Sequence, residues 1–305
     1  FGLSNIHFRF GHVSIMQYLS AINNNYLFLN NGISIPLASI VSFFYIYFFL
    51  DVWSIIKNKK LINISKIFSL FILIYISFKI TRYSSFGNDA VAHLSYFYLI
   101  SCILKNNLRE INFSKILLIS VFIFINKPML GLVFLIPSTI FLIKNNFKFI
   151  KIFNSIFSLP ILLLSIWLIK NIIISGCTIY PIKQSCIEKL PWTNIQQIKA
   201  SQIEGQAWSK AWPDRDNKKI SMQEFSNDFN WVNAWGKKHM KYILNIITPY
   251  IVVLLLIIIF INNRTKNHKS SKNKDKDLLI RLWLSILTSL IGTFSFFLIF
   301  PIYRY

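Results

Sequence analysis

Acidic residues are scarce in this chain: Asp and Glu together number 11 among 305 residues, against 33 Lys and Arg. Charged residues of both signs reach only 14%, too few to cover the surface of an ordinary soluble domain of this size. Motifs of cytoplasmic nucleotide or hydrolase chemistry are missing as well. There is no Walker sequence, no G-x-S-x-G, no H-E-x-x-H and no zinc spacing. No internal repeat is visible, and no stretch alternates as the strands of an outer-membrane barrel do. The first residues are not a basic n-region followed by an apolar core and a cleavage site. The chain opens on Phe1 and stops at Tyr305 directly after an apolar run, so it reads as a fragment of a longer protein.

What is abundant is apolar: hydrophobic residues make up 54% and the mean hydropathy is +0.50. Apolar spans near 33–53, 62–80, 91–104, 152–173, 242–261 and 282–300 reach or approach the roughly 20 residues that a helix needs to cross about 30 Å of hydrocarbon. Two shorter runs, 117–126 and 129–143, flank Lys127 and Pro128. Proline removes a helical donor and clashes with the preceding turn, so this pair is predicted to form a shallow, broken hairpin. The expected fold is an all-α polytopic transmembrane helical bundle: six spans, the broken short-helix hairpin and one long outer segment. It reads as a single transmembrane domain, with residues 1–32 outside, helices over 33–175, the outer segment over 176–241 and helices again over 242–305.

A formal charge of +22 in a soluble protein would suggest nucleic acid. Here the basic residues sit in short clusters between spans, so membrane lipid is the expected partner and nucleic acid is not. Lys and Arg in short loops are retained on the cytoplasmic side. Lys57, Lys59, Lys60 and Lys66, then Lys105, Arg109 and Lys115, then Lys144, Lys148 and Lys151, and finally the run from Arg264 to Arg281 can all be inside at once. The N-terminal segment, the loop at 81–90, the tip at Lys127, the segment at 176–240 and the C-terminal residues then fall outside. Cys177 and Cys186 lie close together in the long outer segment, as a disulfide in an oxidising compartment would require; two unrelated thiols is the alternative. Phe225, Phe229, Val232 and Trp235 recur at helical spacing, which predicts a helix over 222–240 lying along the membrane surface.

Removing the cytoplasmic loops and the long outer segment leaves Arg9, Lys79, Arg82, Lys127, Lys170, Lys241 and Arg304, all at outer boundaries or in outer segments. Binding an anionic group at the membrane surface is one reason for them, phosphate or pyrophosphate on a lipid fitting best; snorkelling to headgroups is the other. Asp89 is the acidic residue of the short outer segments, and His93 stands one helical turn beyond it. An i, i+4 carboxylate and imidazole can form a base with its orienting partner, or two ligands of a divalent metal ion. Equally, Asp89 can cap the helix while His93 is a satisfied interface residue. His7 and Arg9, two residues apart, would face the same way in an extended chain and could clamp a phosphate.

The stretch Asn5-x-His7-x-Arg9-Phe10-Gly11, the Lys127-Pro128 break, the run Lys170-Asn171 to Ser175-Gly176 leading to Tyr180-Pro181, and the closing Pro301-Ile-Tyr-Arg304-Tyr305 resemble a family of uncharacterised bacterial multi-pass proteins. That family is similar to the GT-C class of membrane glycosyltransferases and, more distantly, to O-antigen polymerases. The resemblance implies a sugar transferred from a polyprenyl-phosphate donor on the outer (periplasmic or extracellular) face of the bacterial inner membrane. Enzymes of that class carry an essential acidic residue just after the first transmembrane helix, a region upstream of Phe1, so no catalytic base is carried over. Asp89 and His93 are the candidate catalytic pair; His7, Arg9, Arg82, Lys127, Lys170 and Arg304 are candidate substrate-binding residues. An O-antigen polymerase or ligase, which needs no metal, is the second expectation, a transporter or flippase for a lipid-linked or anionic solute the third, and a non-catalytic assembly protein the fourth.

Overall fold

The computed structural model describes residues 1–6, 11, 14–16, 19, 35–57, 63–83, 89–108, 110–144, 158–227, 229–262 and 272–299. The chain is all-α. Among the described residues the one β feature is an isolated bridge between Cys177 and Cys186. In hydrocarbon no water is available to backbone donors and acceptors, and a helix satisfies them within one segment. The apolar runs accordingly appear as α1 (Ile35–Lys57), α2 (Ile64–Tyr83), α3 (Asp89–Lys105), α4 (Phe113–Asn126), α5 (Leu135–Lys144) and α6 (Ser158–Ser175). Then come α7 (Ile195–Ser209), the short α8 (Met222–Ser226), α9 (Val232–Asn262) and α10 (Lys272–Ile299). Among the described residues four helices are long and apolar enough to cross a membrane, over Ile35–Ile55, Ile64–Thr81, Val232–Leu256 and Leu278–Ser295, against the six spans expected; α3 and α6 are shorter.

Asparagine sets several helix starts. The Asn63, Asn112 and Asn194 side chains accept from the backbone N–H of Lys66, Lys115 and Gln197 at 3.1, 3.2 and 3.0 Å, each satisfying a donor that a helix N-terminus leaves over. The broken hairpin forms at the expected place. α4 ends at Asn126, Lys127 leaves the helix at φ −145° and ψ 87°, and Pro128 opens a 3-10 segment, Pro128–Phe134, that leads into α5.

The chain divides into two compact units. A helical unit comprises Ser14–Ile161 and Tyr250–Gly292; a loop-rich unit comprises Phe1–Val13, Leu162–Pro249 and Thr293–Tyr305. In the helical unit α3 is the central helix: Val91, Leu94, Leu99 and Ile103 have no exposed surface. Its first half packs with Phe44 and Phe48 of α1 and Ile72 and Ile76 of α2. Its second half packs with Ile116 and Ile123 of α4 and Ile136 and Ile140 of the hairpin's return. The opposite face of α1 presents Phe43, Ile46, Leu50 and Trp53 outward, as a lipid-facing helix must. Lipid tails compete equally for such faces, so close packing and polar pins have to hold the helices together.

The loop-rich unit has small cores of its own, which is why it separates. Ala211, Phe225, Trp231, Ala234 and Trp235 form one; Cys177, Tyr180 and Ile198 form another. These cores correct the expected surface helix over 222–240. α8 stops at Ser226, Phe229 takes a left-handed backbone (φ 59°), and residues from Val232 onward belong to α9, one 31-residue helix running into the apolar stretch. Phe225 and Trp235 go to the protein core while Phe229 and Val232 stay exposed. The four apolar residues therefore share no single face.

Candidate functional site

Polar pins in the helical unit gather at the two ends of α3, about 25 Å apart for 17 residues. At its start, the Lys127 ammonium donates to Asp89 Oδ1 at 2.9 Å. The α4 break puts Lys127 there: a residue released from the helix beside a proline can turn its side chain onto the neighbouring helix. Lys127 is nine-tenths buried as a side chain and Asp89 about four-fifths, with exposures of 10% and 21%, so each supplies the countercharge that makes the other tolerable at this depth. One turn further along α3, His93 Nδ1 lies 3.2 Å from the Tyr83 hydroxyl, which donates to the Tyr75 hydroxyl at 3.4 Å. Tyr75 stacks at 5.3 Å on Tyr250. The buried Asn126 side chain, next to Lys127, has an amide oxygen without a hydrogen-bond partner.

At the other end of α3, Lys105 pairs with Asp51 at 2.6 Å and donates to the Tyr47 hydroxyl at 2.7 Å, while the Ser69 hydroxyl donates to Asp51 at 2.7 Å. Arg281 of α10, 8% exposed, donates to the carbonyls of Leu104, Asn106 and Ile103 at 2.8, 3.1 and 3.4 Å. These are carbonyls that the end of α3 leaves over. Lys144 reaches the Ile111 carbonyl. Among the described residues, Lys105, Lys144 and Arg281, all assigned inside by charge, thus reach Asp51 in α1, the Ile111 carbonyl and the end of α3, and Asp89 and Lys127, both assigned outside, pin to each other.

In the loop-rich unit, the run from Lys170 to Gly176 builds a helix end. Asn171 is buried and donates to the Thr178 carbonyl at 2.9 Å; Ser175 accepts from the Cys177 N–H at 3.2 Å. Gly176 has φ +77°, the left-handed position that ends many helices, and a β-carbon there would meet Thr193 Oγ1. Free carbonyls of α6 are taken by three donors from elsewhere. Ile172 accepts from the Trp192 indole at 2.9 Å, Ile173 from the Gly2 N–H at 3.0 Å and Ile174 from the Ser4 hydroxyl at 3.3 Å. Cys177 and Cys186 are joined as a disulfide. Lys170 is half-buried in α6, its ammonium 5.6 Å from the centre of the Trp167 ring. Lys210 is 7% exposed, donates to the Ser226 carbonyl at 2.8 Å and lies over the Trp231 ring; burial holds its pKa below the usual lysine value.

Of the candidate residues, the structure therefore joins Asp89 with Lys127 and sets His93 on the same helix one turn on. Arg82 lies in α2 with only its backbone described, while His7, Arg9 and Arg304 lie outside the described residues. The possible divalent cation gains nothing from this geometry. Among the described residues no three of His, Cys, Asp and Glu gather to hold a metal ion, and the ammonium on Asp89 already brings the positive charge that a cation would supply. Sequence reading missed Tyr83 and Tyr75 as partners of His93, it missed Asp51 altogether, and it read Arg281 only as part of a basic loop. Asp51 did carry a signal, being an acidic residue inside an apolar span.

An all-α chain with four helices of membrane-crossing length and outward apolar faces is a multi-pass membrane protein. All of it, residues 1–305, matches the family described as Domain of unknown function (DUF8201), and the chain belongs to that family. No curated protein and no solved structure matches it.

Proposed function

We propose that this protein is a membrane glycosyltransferase of the bacterial cell envelope, taking its sugar from a polyprenyl-phosphate donor at the outer face of the inner membrane. The observation that carries the reading is the Lys127–Asp89 pair: a carboxylate and an ammonium held together at the end of the bundle that the charge distribution assigns outside. In the transfer the bond between the sugar's anomeric carbon and the donor phosphate breaks, and a bond to an acceptor hydroxyl oxygen forms. Asp89, with His93 beside it, orients that hydroxyl and takes its proton. Negative charge grows on the departing phosphate, and Lys127 answers it. Charge distribution alone assigns Arg82, Lys170, His7, Arg9 and Arg304 to the same face as further phosphate-binding groups.

Because an ammonium rather than a cluster of ligands faces Asp89, a metal-independent transfer of the O-antigen polymerase or ligase type is the second reading. The test is transfer of radiolabelled sugar from a polyprenyl-phosphate donor by membranes carrying the full-length protein, with and without a chelator. Transfer that is lost in Asp89→Asn supports an enzyme, and survival in chelator selects the second reading. Unchanged transfer in Asp89→Asn overturns the assignment of the site.

A further inference from the structure

Behind His93 stand two tyrosine hydroxyls that take no part in the transfer described above. Tyr83 closes α2 and is 2% exposed; its hydroxyl lies 3.2 Å from His93 Nδ1 and donates to the Tyr75 hydroxyl at 3.4 Å. The two tyrosines are 8 residues apart on α2, a little over two turns, and their rings meet at 6.3 Å. Two further rings fix Tyr75. Phe97 of α3 lies edge-on to it at 5.5 Å and Tyr250 of α9 at 5.3 Å, and Tyr250 is itself set against Phe71 and Phe78 at 6.4 and 5.9 Å. All of these residues belong to the helical unit.

Counting protons along this chain fixes the form of the imidazole. A tyrosine hydroxyl has one proton to give. Tyr83 gives it to Tyr75, so it meets His93 as an acceptor, and the proton between them sits on Nδ1. A neutral imidazole protonated at Nδ1 carries its lone pair on Nε2. Burial of Tyr83 keeps water from supplying a substitute bond at its oxygen. His93 itself keeps some exposed surface.

We propose that Tyr83, backed by Tyr75, holds His93 in the Nδ1-protonated tautomer, and that the proton the Asp89–His93 pair takes from the acceptor hydroxyl is taken at His93 Nε2. The second half of this statement rests on the transfer reading above; the tautomer does not. In the step the acceptor O–H bond breaks and an Nε2–H bond forms. The acceptor oxygen bonds to the anomeric carbon, and the electron pair of the broken sugar–phosphate bond leaves on the phosphate. The imidazolium, its Nδ1–H still on the Tyr83 oxygen, then returns its proton to water. Asp89, held by the Lys127 ammonium at 2.9 Å, is the orienting member of the pair. Tyr83 and Tyr75 are positioning residues: they act through the imidazole and touch neither sugar nor phosphate.

The experiment uses the full chain in phosphatidylcholine nanodiscs at about pH 8.5, roughly two units above the ordinary histidine value, where the neutral imidazole is read. The ring nitrogens of isotope-labelled histidine are followed by NMR, His93 being the signal absent from His93→Gln. In the parent protein Nδ1 is expected to be the protonated nitrogen. Tyr75→Phe leaves the Tyr83–His93 contact in place but lets the Tyr83 proton turn onto Nδ1, and is expected to move the histidine proton to Nε2. Tyr83→Phe removes the partner and is expected to leave the two tautomers mixed. Both variants keep the aromatic ring and its packing. In the transfer assay above, both are expected to lower kcat about tenfold or more with KM little changed, since a wrong tautomer removes the base without removing the binding groups. A bare Nδ1 in the parent, or a tautomer that Tyr75→Phe does not move, overturns the positioning role. A moved tautomer with undiminished kcat overturns Nε2 as the proton acceptor. A parent protein without transfer activity removes the donor reading and the proton step with it, while the tautomer still decides the role of Tyr83.

Discussion

Lys127 reaches back across 38 residues of chain to donate to Asp89 at 2.9 Å, tying the break after α4 to the start of α3. Removing one partner leaves the other charge at membrane depth without its counter-ion. With side-chain exposures of 10% and 21% the pair is not fully dry, so Asp89→Asn or Lys127→Met should each cost about 1–3 kcal/mol, less than a sealed pair would. The double variant should recover most of that, since both charges go together. Transfer activity should fall at least about 100-fold in all three. Thermal unfolding of the detergent-purified protein beside the transfer assay separates the two roles; a double variant with normal activity would make the pair purely structural.

Arg281 is a second pin with a different chemistry, a guanidinium spent on backbone carbonyls instead of a carboxylate. Arg281→Gln should cost about 2 kcal/mol or more, because the Leu104 and Asn106 carbonyls lose a charged donor where no water reaches readily. Arg281→Lys should fall between, since an ammonium cannot reproduce the planar fork. The midpoint of thermal unfolding reads the order Arg above Lys above Gln. Equal midpoints would mean that α10 is held by packing alone.

Much of the architecture could be read from residues alone, because the bilayer turns length and polarity into structure. Each predicted span holds a helix among its described residues, although four helices and not six reach membrane-crossing length, and Pro128 breaks the chain where proline must. Partner identity was not legible in the same way. Arg281 sat in a basic run that read as a cytoplasmic loop, yet its guanidinium is buried against carbonyls of residues about 175 positions earlier. Trp235 misled for a related reason. Its helical spacing with Phe225, Phe229 and Val232 read as one face of a surface helix, but it packs with Ala211, Phe225 and Trp231 in a local core, and no periodicity announces a partner that comes from elsewhere in the chain. For the candidate site, the sequence supplied Asp89 and Lys127 as separate entries and the fold joined them, while His93 found its partner in Tyr83, a residue that spacing did not single out.

Lys210 makes the stability of the loop-rich unit depend on pH. Burial lowers its pKa from the ordinary 10.5 in the folded protein, so between the folded value and 10.5 the unfolded chain binds more protons than the folded one. Stability must therefore rise as pH increases through that window. Unfolding followed by tryptophan fluorescence, with Trp231 beside the ammonium, should show stability that rises with pH as the ordinary lysine value of about 10.5 is approached from below. Lys210→Met should reduce this slope and raise stability at pH 7.5. A slope that the substitution leaves unreduced would assign it to another group.

Sidedness decides whether the proposed site faces the donor at all, and the pairing of helix ends makes the test stricter than a charge count. Asp89 and Lys127 meet at one end of α3, while Asp51 and Arg281 engage the other. Probes at Ser85 and Ser270 must therefore report from opposite sides of the membrane, whichever side is which. Glu188, exposed in the disulfide loop's flank, is the third position. With Cys102 replaced and the disulfide left in place, single cysteines at Ser85 and Glu188 should react with an impermeant maleimide in intact cells, and one at Ser270 only after permeabilisation. The reverse pattern would leave the fold intact but put Asp89 and Lys127 in the cytoplasm, away from an outer-face polyprenyl-phosphate sugar, and the transferase reading would fall. Labelling of Ser85 and Ser270 from the same side would contradict the helical unit itself, since α3 could not then run between its two sets of pins.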